Sequence, residues 1–253
     1  MMELFTLCIS ENSGIINATI DRKKQRNSIN SLLIKELSLL LDEVERRPDV
    51  KMLVISGSAG FFCTGMDFDE AVANTSFSES NFSDYMILLK RFTISPKIVV
   101  ARVEGQVLAG GVGVAAACDL VLATADSIFG LSELLWGLVP AMVMPFLVRR
   151  IGFQSAYRMA LTTETLSAGE ANKLGLVDIV DSNLDATLQR ISRRLLRLES
   201  NSVEHLKRYM RDMWIINEQM EETAVSASYH FGSNPKVREN LKRFVSHGQF
   251  PWE

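Results

Sequence analysis

Residues 97–117 read KIVVARVEGQVLAGGVGVAAA, and three features of this stretch together indicate the fold. Lys97 to Val103 is a short β-branched run preceded by Pro96, which is typical of a buried strand. The glycine-rich turn Gly105 to Gly113 follows, and the apolar residues Val114 to Ala117 then predict a helix. A glycine cluster that opens a helix leaves backbone N–H groups unpaired at the positive end of the helix dipole. The turn therefore suits an anion, either a phosphate or a developing oxyanion.

A second turn of the same kind lies upstream. Lys51 to Gly57 reads as a short apolar strand, and residues 61–68, FFCTGMDF, follow it. The turn at 105–113 lacks the Lys-Ser/Thr pair of a P-loop and the later acidic residue of a Rossmann unit, so neither nucleotide site is indicated. Glycine-rich strand-to-helix turns also serve packing alone, and this motif by itself leaves both roles open.

The remaining hydrophobic pattern predicts an α/β core followed by helices. Leu4 to Ser10 and Ile15 to Asp21 read as a hairpin, and Asn30 to Arg47 reads as an amphipathic helix closed by Pro48. Further strands are predicted at Asp119 to Thr124 and Ser127 to Leu131. After Val139 the predicted helices are Met142 to Ile151, Gln154 to Leu161, Ala168 to Leu174, Leu184 to Leu198, Val203 to His230 and Pro235 to Val245. Strands that alternate with helices indicate crossover units and a buried sheet. The Ser/Asn-rich stretch Asn74 to Ser83 is the best candidate for a mobile loop.

Composition excludes several classes of protein. A chain of 253 residues with net charge −3 and a pI near 5.8 is not typical of a duplex-DNA binder, and we expect no nucleic-acid partner. The most apolar stretch, Trp136 to Val148, contains two prolines and is too short for a membrane span. The three cysteines are scattered without zinc spacing, so we expect a reduced, cytoplasmic protein without a metal.

The ordered set of motifs resembles the crotonase (enoyl-CoA hydratase/isomerase) superfamily over nearly the whole chain. The segments that carry the resemblance are Asp21–Asn30, Phe62–Asp67, Gly105–Gly113 with Cys118 and Asp119, Phe129–Glu133, Gly152 and Ser167–Val177. Each segment is a weak signal alone, whereas their order is specific. The resemblance implies an α/β crotonase fold, with a ββα spiral core over residues 1–190 and a C-terminal helical region over residues 191–253. It also implies a homotrimer or a dimer of trimers.

The resemblance further implies an oxyanion hole. Its donors would be the backbone N–H groups of Met66 and Gly110, which would bind a thioester oxygen as the substrate C2 atom loses its proton. Gly65 and Gly111, next to these donors, are expected to contact the substrate or its thiol carrier. Met66 is equally compatible with a core methionine that lines the pocket.

Glu133 matches one of the two glutamates that hydratases of this family place around the substrate C2–C3 bond. The other falls on Gly113, which has no side chain, and this departure favours a mechanism centred on one carboxylate. A solvated or capping glutamate is the alternative for Glu133. Asp67 is either a second acid-base group or an N-cap for the following helix. Tyr85, in the variable segment over the pocket, is a further catalytic candidate.

Lys24 and Arg26 fall where family members hold the pantetheine and nucleotide of coenzyme A. These cations would contact the phosphates of the carrier, or they form a solvated patch. The resemblance thus implies a substrate held as a phosphopantetheine or coenzyme A thioester, without another cofactor.

Residues 132–152 and 248–253 resemble one subgroup, the dehydratases of polyketide β-branching cassettes. That resemblance implies dehydration of a 3-hydroxy-3-methylglutaryl group on an acyl carrier protein to a 3-methylglutaconyl thioester. An acidic carrier protein would need cations on its docking face, for which the candidates are Arg149, Arg150, Arg193, Arg194, Arg197, Lys207, Arg208 and Arg211. Two alternatives stay open: an enoyl-CoA hydratase or isomerase acting on a coenzyme A thioester, and a non-catalytic crotonase homologue that binds an acyl carrier.

Overall fold

The computed structural model describes residues 4–73, 79–214 and 216–253. Its strands are β1 (Leu7–Asn12), β2 (Ile15–Ile20), β3 (Met52–Ser56), β4 (Phe61–Cys63), β5 (Ile98–Val103), β6 (Gln106–Leu108), β7 (Leu120–Ala123), β8 (Ile128–Gly130), β9 (Leu166–Ser167) and β10 (Ile179–Val180). Its helices are α1 (Ser31–Arg46), α2 (Phe68–Ala73), α3 (Glu79–Ile94), α4 (Gly110–Ala117), α5 (Met144–Ile151), α6 (Phe153–Thr162), α7 (Ala168–Leu174), α8 (Leu184–Leu195), α9 (Ser200–Asp212), α10 (Glu218–Gly232) and α11 (Pro235–His247). Short 3₁₀ helices cover Lys23–Gln25 and Glu133–Trp136.

The described strands form two sheets. The larger has the order β1-β2-β3-β5-β7-β10, and the smaller has the order β4-β6-β8-β9. Pairing is parallel except for β1 with β2 and β8 with β9. The chain passes from the larger sheet to the smaller at β3–β4, β5–β6 and β7–β8, and helical segments follow each passage. This repeated unit is the ββα spiral that the sequence predicts.

Helices cover both faces of the larger sheet. Every residue of β3 is buried, as expected for a parallel strand between two layers. Leu53 and Ile55 face the main core, to which α1, α3 and α4 contribute, whereas Met52 and Val54 face residues of α8 and α9. The helices α1, α3 and α4 therefore lie on one face of this sheet.

The α1 helix forms where the hydrophobic pattern of the sequence predicts a helix. Its residues Leu33, Leu37, Leu40, Leu41 and Val44 are buried on one face. The Asn30 side chain accepts a hydrogen bond from the Leu33 N–H at 2.9 Å and caps the first turn. The predicted helix from Asn30 to Arg47 is confirmed, with its ends one residue inside the expected bounds.

Two predicted segments differ from the structure. The single helix expected from Val203 to His230 is wrong, because α9 ends at Asp212 and α10 begins at Glu218. Trp214, between them, stacks with the guanidinium groups of Arg149 and Arg211, each 4.9 Å from its ring centre. Asn217 then starts a new helix by accepting the Met220 N–H at 3.0 Å.

The expected mobile loop at 74–83 is only partly testable. Residues 74–78 lie outside the described residues, whereas 79–83 form the first turn of α3, so a loop prediction is wrong there. The expected division after residue 190 falls inside α8. Among the helices described, none is long and apolar enough to cross a membrane.

Candidate active site

A cavity of about 180 Å³ opens between the N-terminal ends of α1 and α4, the α3 helix and the 3₁₀ helix Glu133–Trp136. Its walls are mostly apolar. The cavity brings together five of the sequence-predicted site residues, namely Met66, Asp67, Tyr85, Gly110 and Glu133. Four others do not line it, namely Lys24, Arg26, Gly65 and Gly111.

The first turn is fixed against the segment before α1. The Ile29 N–H donates to the Gly65 carbonyl at 2.7 Å, and the Asp67 N–H donates to the Ile29 carbonyl at 2.9 Å. These bonds hold both neighbours of Met66, whose own N–H has no acceptor in the described part of the chain. Gly65 has a φ of +86°, which favours glycine.

The second turn leads from β6 into α4. Ala109 has a φ of +50° and a ψ of −123°, an unfavourable backbone conformation for a residue with a side chain. Its N–H donates to the Gly130 carbonyl at 2.8 Å, which anchors the turn to β8. Gly110 then opens α4, and no acceptor for its N–H occurs among the described residues.

The two turns touch each other. A Cβ added to Gly65 would lie 2.6 Å from the Ala109 Cβ and 3.1 Å from the Gly110 nitrogen. A Cβ on Gly111 would lie 2.2 Å from the Cys63 carbonyl oxygen, so this glycine lets α4 pack on β4. Gly65 and Gly111 therefore serve the approach of the two turns, and their expected contact with the substrate stays a prediction. The arrangement places two unpaired backbone donors beside one cavity.

Glu133 faces the same cavity from the 3₁₀ helix that follows β8. Its Oε2 atom is shielded from solvent and has no hydrogen-bond partner in the described structure. Burial raises the pKa of Glu133 to about 7. Buried polar atoms in structural roles are normally hydrogen-bonded, and a carboxylate that titrates near neutral pH suits proton exchange.

Comparison with known proteins identifies the family. A family model described as enoyl-CoA hydratase/isomerase matches residues 10–253. The chain belongs to the enoyl-CoA hydratase/isomerase, or crotonase, family. The resemblance seen in the sequence is thereby confirmed.

Individual relatives are dehydratases and hydratases. The bacillaene synthase dehydratase PksH of Bacillus subtilis is 34% identical over 252 residues, covering 98% of this chain and 96% of PksH. The crystal structure of the Bacillus subtilis polyketide biosynthesis enoyl-CoA hydratase PksH matches with a TM-score of 0.91 and 33% identity, covering 98% of this chain and 100% of that one. The enoyl-CoA hydratase EchA19 of Mycobacterium tuberculosis is 31% identical over 165 residues, covering 63% of this chain and 62% of EchA19. This crotonase has the family's fold and is an enzyme.

Asp67 of this crotonase has a structural role. Its carboxylate accepts hydrogen bonds from Arg22 at 2.8 Å, from Ser28 at 2.9 Å and from the Glu70 N–H at 3.0 Å, the last of which caps α2. Burial alone would raise the pKa of Asp67, but these three bonds outweigh it and hold the pKa below its usual value. The N-cap alternative is confirmed. A paired, ionised carboxylate does not fit the acid-base role.

Tyr85 is buried in α3, and its hydroxyl donates to the Gly110 carbonyl at 2.5 Å. Burial raises the pKa of this phenol well above its usual value, so Tyr85 stays neutral. Its proton is already committed to a backbone acceptor. The geometry therefore gives Tyr85 a contact with the turn that leads into α4 rather than a role as proton donor.

Lys24 and Arg26 are exposed on the turn around the 3₁₀ helix Lys23–Gln25. The Arg26 carbonyl accepts a hydrogen bond at 2.9 Å from Thr64 Oγ1, and Thr64 lines the cavity. The Arg26 guanidinium lies 5.7 Å from the centre of the Phe61 ring. The Arg26 backbone thus contacts a residue of the cavity, and neither cation lines it.

Half of the cations proposed for carrier docking are engaged inside the protein. Arg149 and Arg150 donate to the carbonyls of Ala116 and Cys118, at the C-terminal end of α4. Cations are stabilised there because a helix C-terminus carries partial negative charge. Lys207 pairs with Asp119, and Arg211 pairs with Glu221, at 2.6 and 2.5 Å. The prediction is wrong for Arg149, Arg150, Lys207 and Arg211, whereas Arg193, Arg194, Arg197 and Arg208 are exposed.

One wall of the crotonase cavity contains the aromatic residues Phe68 and Trp136, and aromatic residues of the C-terminal region pack behind it. Trp136, which follows Glu133 by one turn, packs edge-on against Phe68 and Phe244, with ring centres 4.8 and 5.0 Å apart. Phe250 and Trp252 stack on each other beside Trp136. The C-terminal region thus packs on Trp136, three residues after Glu133, whereas Leu134 and Leu135 of the same segment are exposed.

Proposed function

We propose that this crotonase is a dehydratase of polyketide β-branching. It removes water from a 3-hydroxy-3-methylglutaryl thioester on an acyl carrier protein and gives a 3-methylglutaconyl thioester. The observation that carries the proposal is Glu133, whose unpartnered Oε2 shares one cavity with two unpaired backbone donors. The likeness to the bacillaene synthase dehydratase over 98% of the chain supports it.

The mechanism begins with the thioester oxygen between the N–H groups of Met66 and Gly110. Ionised Glu133 takes the C2 proton, and the electron pair of the C–H bond moves toward the thioester oxygen as an enolate. The two donors stabilise that charge, and each contributes about 3–4 kcal/mol in sites of this type. The enolate then collapses to the C2–C3 double bond while the C3–oxygen bond breaks. Glu133 returns its proton to the leaving oxygen, so that water forms and the carboxylate is regenerated.

A single carboxylate is sufficient for this sequence of steps. The proton that leaves C2 and the proton that reaches the C3 hydroxyl are the same proton, so both transfers occur on one face of the substrate. The pKa of about 7 for Glu133 allows it to act first as base and then as acid near neutral pH. At the position of the second family glutamate, Gly113 offers no acid.

A second candidate function is an enoyl-CoA hydratase or isomerase acting on a coenzyme A thioester. The lining of the cavity, as far as the described residues form it, contains no Lys, Arg or His. An uncharged acyl chain fits such a lining, whereas the distal carboxylate of a 3-hydroxy-3-methylglutaryl group would find no cation among these described residues and would share the cavity with the carboxylates of Asp67 and Glu70. The named function of the relative EchA19 also supports this candidate.

The decisive experiment compares three substrates by mass spectrometry. These are 3-hydroxy-3-methylglutaryl on an acyl carrier protein, the same group on coenzyme A, and 3-hydroxybutyryl-CoA. We expect kcat/KM to be highest for the carrier-bound substrate, and a preference for 3-hydroxybutyryl-CoA would establish the second candidate instead. Absence of turnover with all three would favour a non-catalytic acyl-carrier-binding protein. Glu133→Gln is the inactive control, and Glu222→Gln is its matched control because Glu222 is exposed on α10.

The assembly is proposed to be a homotrimer or a dimer of trimers. An apolar stripe on α6 supports an assembly face, because Phe153, Tyr157 and Leu161 are spaced one turn apart and are 70%, 47% and 56% exposed. Sedimentation equilibrium should give three or six times the chain mass of 28.3 kDa. A species of one chain mass at micromolar concentration would contradict the proposal.

A further inference from the structure

Gly113, in the second turn of α4, faces a space that is already filled. A Cβ added there would lie 2.8 Å from the Tyr85 hydroxyl oxygen, 3.3 Å from Val143 Cγ2 and 3.4 Å from Leu89 Cδ1. Real Cβ atoms rarely approach other atoms this closely. The position thus lacks a carboxylate, and a larger residue there would require the Tyr85 hydroxyl to move.

Tyr85 occupies this space from a rigid element. Its neighbours on α3, Leu88, Leu89 and Phe92, are buried in the main core. The phenol ring therefore has little freedom to withdraw from α4. The hydroxyl reaches the carbonyl of Gly110, the residue whose N–H is the second oxyanion donor.

The hydrogen bond from the Tyr85 hydroxyl to the Gly110 carbonyl also supports a strained turn. Ala109, directly before Gly110, has a positive φ of +50°. Such conformations persist only where the surroundings hold them. The turn is held on one side by the bond from the Ala109 N–H to Gly130, and on the other by the bond from Tyr85 to Gly110.

We infer that Tyr85 is a positioning residue that fixes the Gly110 peptide of the oxyanion hole and, together with Gly113, makes this a site with one carboxylate. The inference rests on the proposed thioester chemistry, because that chemistry uses the Gly110 N–H. Tyr85 acts through the backbone and transfers no proton. Val143 closes the remaining space, so the acyl group meets an apolar surface where the second acid of a hydratase would stand.

Tyr85→Phe tests the positioning role, because it keeps the ring and removes only the hydroxyl. We expect kcat to fall about tenfold, which corresponds to one hydrogen bond, with KM and the acid limb of the pH profile unchanged. A second readout avoids dehydration altogether: the near-ultraviolet absorbance of acetoacetyl-CoA reports how strongly the oxyanion hole favours the bound enolate. Tyr85→Phe should weaken this preference by about the same factor. The matched control is Tyr209→Phe, since Tyr209 is exposed on α9.

These two readouts separate the inference from the proposed function. Wild-type enolate stabilisation without dehydration would refute the proposed substrate and leave the role of Tyr85 intact. Unchanged enolate stabilisation in Tyr85→Phe would overturn the inference even if dehydration is confirmed. Loss of the basic limb of the pH profile in Tyr85→Phe would also overturn it, because that result would assign a proton transfer to the phenol.

The exclusion of a second carboxylate is tested by Gly113→Glu and by the double variant Gly113→Glu/Tyr85→Ala. We expect Gly113→Glu to lose thermal stability and activity, and we expect it to cost less stability when added to Tyr85→Ala than when added to the wild type, because the space is vacated. Gly169→Glu is the matched control, since a Cβ there meets nothing within 4 Å. A Gly113→Glu enzyme with wild-type stability and turnover would overturn the inference. So would an equal loss of stability from Gly113→Glu in the wild type and in Tyr85→Ala.

Discussion

Replacing Glu133 by glutamine should make the enzyme inactive and, at alkaline pH, more stable. The pKa of Glu133 is about 7 in the folded protein, against a usual value of 4.5. The folded state therefore binds this proton more tightly than the unfolded chain does. Ionisation above pH 7 thus opposes folding, and the penalty disappears below pH 4.5, where both states are protonated.

The size of the effect follows from the two pKa values. Their difference, 7 minus 4.5, corresponds to at most about 3–4 kcal/mol of unfolding free energy at about 1.4 kcal/mol for each pKa unit. Since Glu133 is only partly buried, retained hydration reduces this value. Glutamine has nearly the same shape and no charge, so Glu133→Gln should recover most of it. Dehydration should fall by about 10²- to 10⁴-fold, the usual contribution of a general acid-base group.

The assay is urea unfolding at pH 5 and pH 8, at one protein concentration, alongside kcat/KM for dehydration. The stability gain of Glu133→Gln should be clear at pH 8 and largely absent at pH 5, and Glu222→Gln should show neither. A variant that is less stable than wild type at pH 8 would refute the reasoning. So would an equal gain at both pH values, because a packing effect does not titrate.

Three further predictions concern the pH dependence of activity, the turn at Gly65 and the C-terminal end of α4. The value of kcat/KM should decrease as pH falls through about 7, because protonated Glu133 cannot accept the C2 proton, and a profile that is flat between about pH 6 and 8 would contradict this. Gly65→Ala should lower kcat/KM about 100-fold or more, since the added methyl group would lie 2.6 Å from the Ala109 Cβ and displace one donor, with unchanged circular dichroism as the check on folding. Arg149→Met should lower the unfolding free energy by about 2–3 kcal/mol in urea because it removes charged hydrogen bonds at the C-terminal end of α4. The exposed control Arg208→Met should unfold like the wild type, and equal stabilities of the two variants would count against the capping role.

The sequence was sufficient to predict those helices and strands in which buried residues recur at a fixed spacing. The α1 helix, with its capping Asn30, and the fully buried β3 strand follow directly from such patterns. The order of the motifs placed Glu133 and the two turns at one cavity, because a shared fold brings those segments together. The N-cap at Asp67 was one of two alternatives, and the hydrogen bond from the Glu70 N–H to Asp67 decides between them.

Features that depend on distant packing could not be predicted. Arg149 and Arg150 look like a solvated pair in sequence, and only the approach of α5 to α4 turns them toward backbone carbonyls. The break after α9 falls in a pattern that continues as a helix, and Trp214 marks it only through its stacking on two arginines. The contact of Tyr85 with Gly110 joins segments 25 residues apart and has no local signal.

The position of the aromatic wall around Trp136 determines how the enzyme loses activity in denaturant. Phe244, Phe250 and Trp252 lie more than a hundred positions beyond Glu133 and on the periphery of the fold, whereas the sheets are held by the central core. Local unfolding of this outer segment would admit water to the cavity while the strands remain paired. In mild denaturant, turnover should therefore cease before the protein unfolds globally, so that inactivation and global unfolding are separate events.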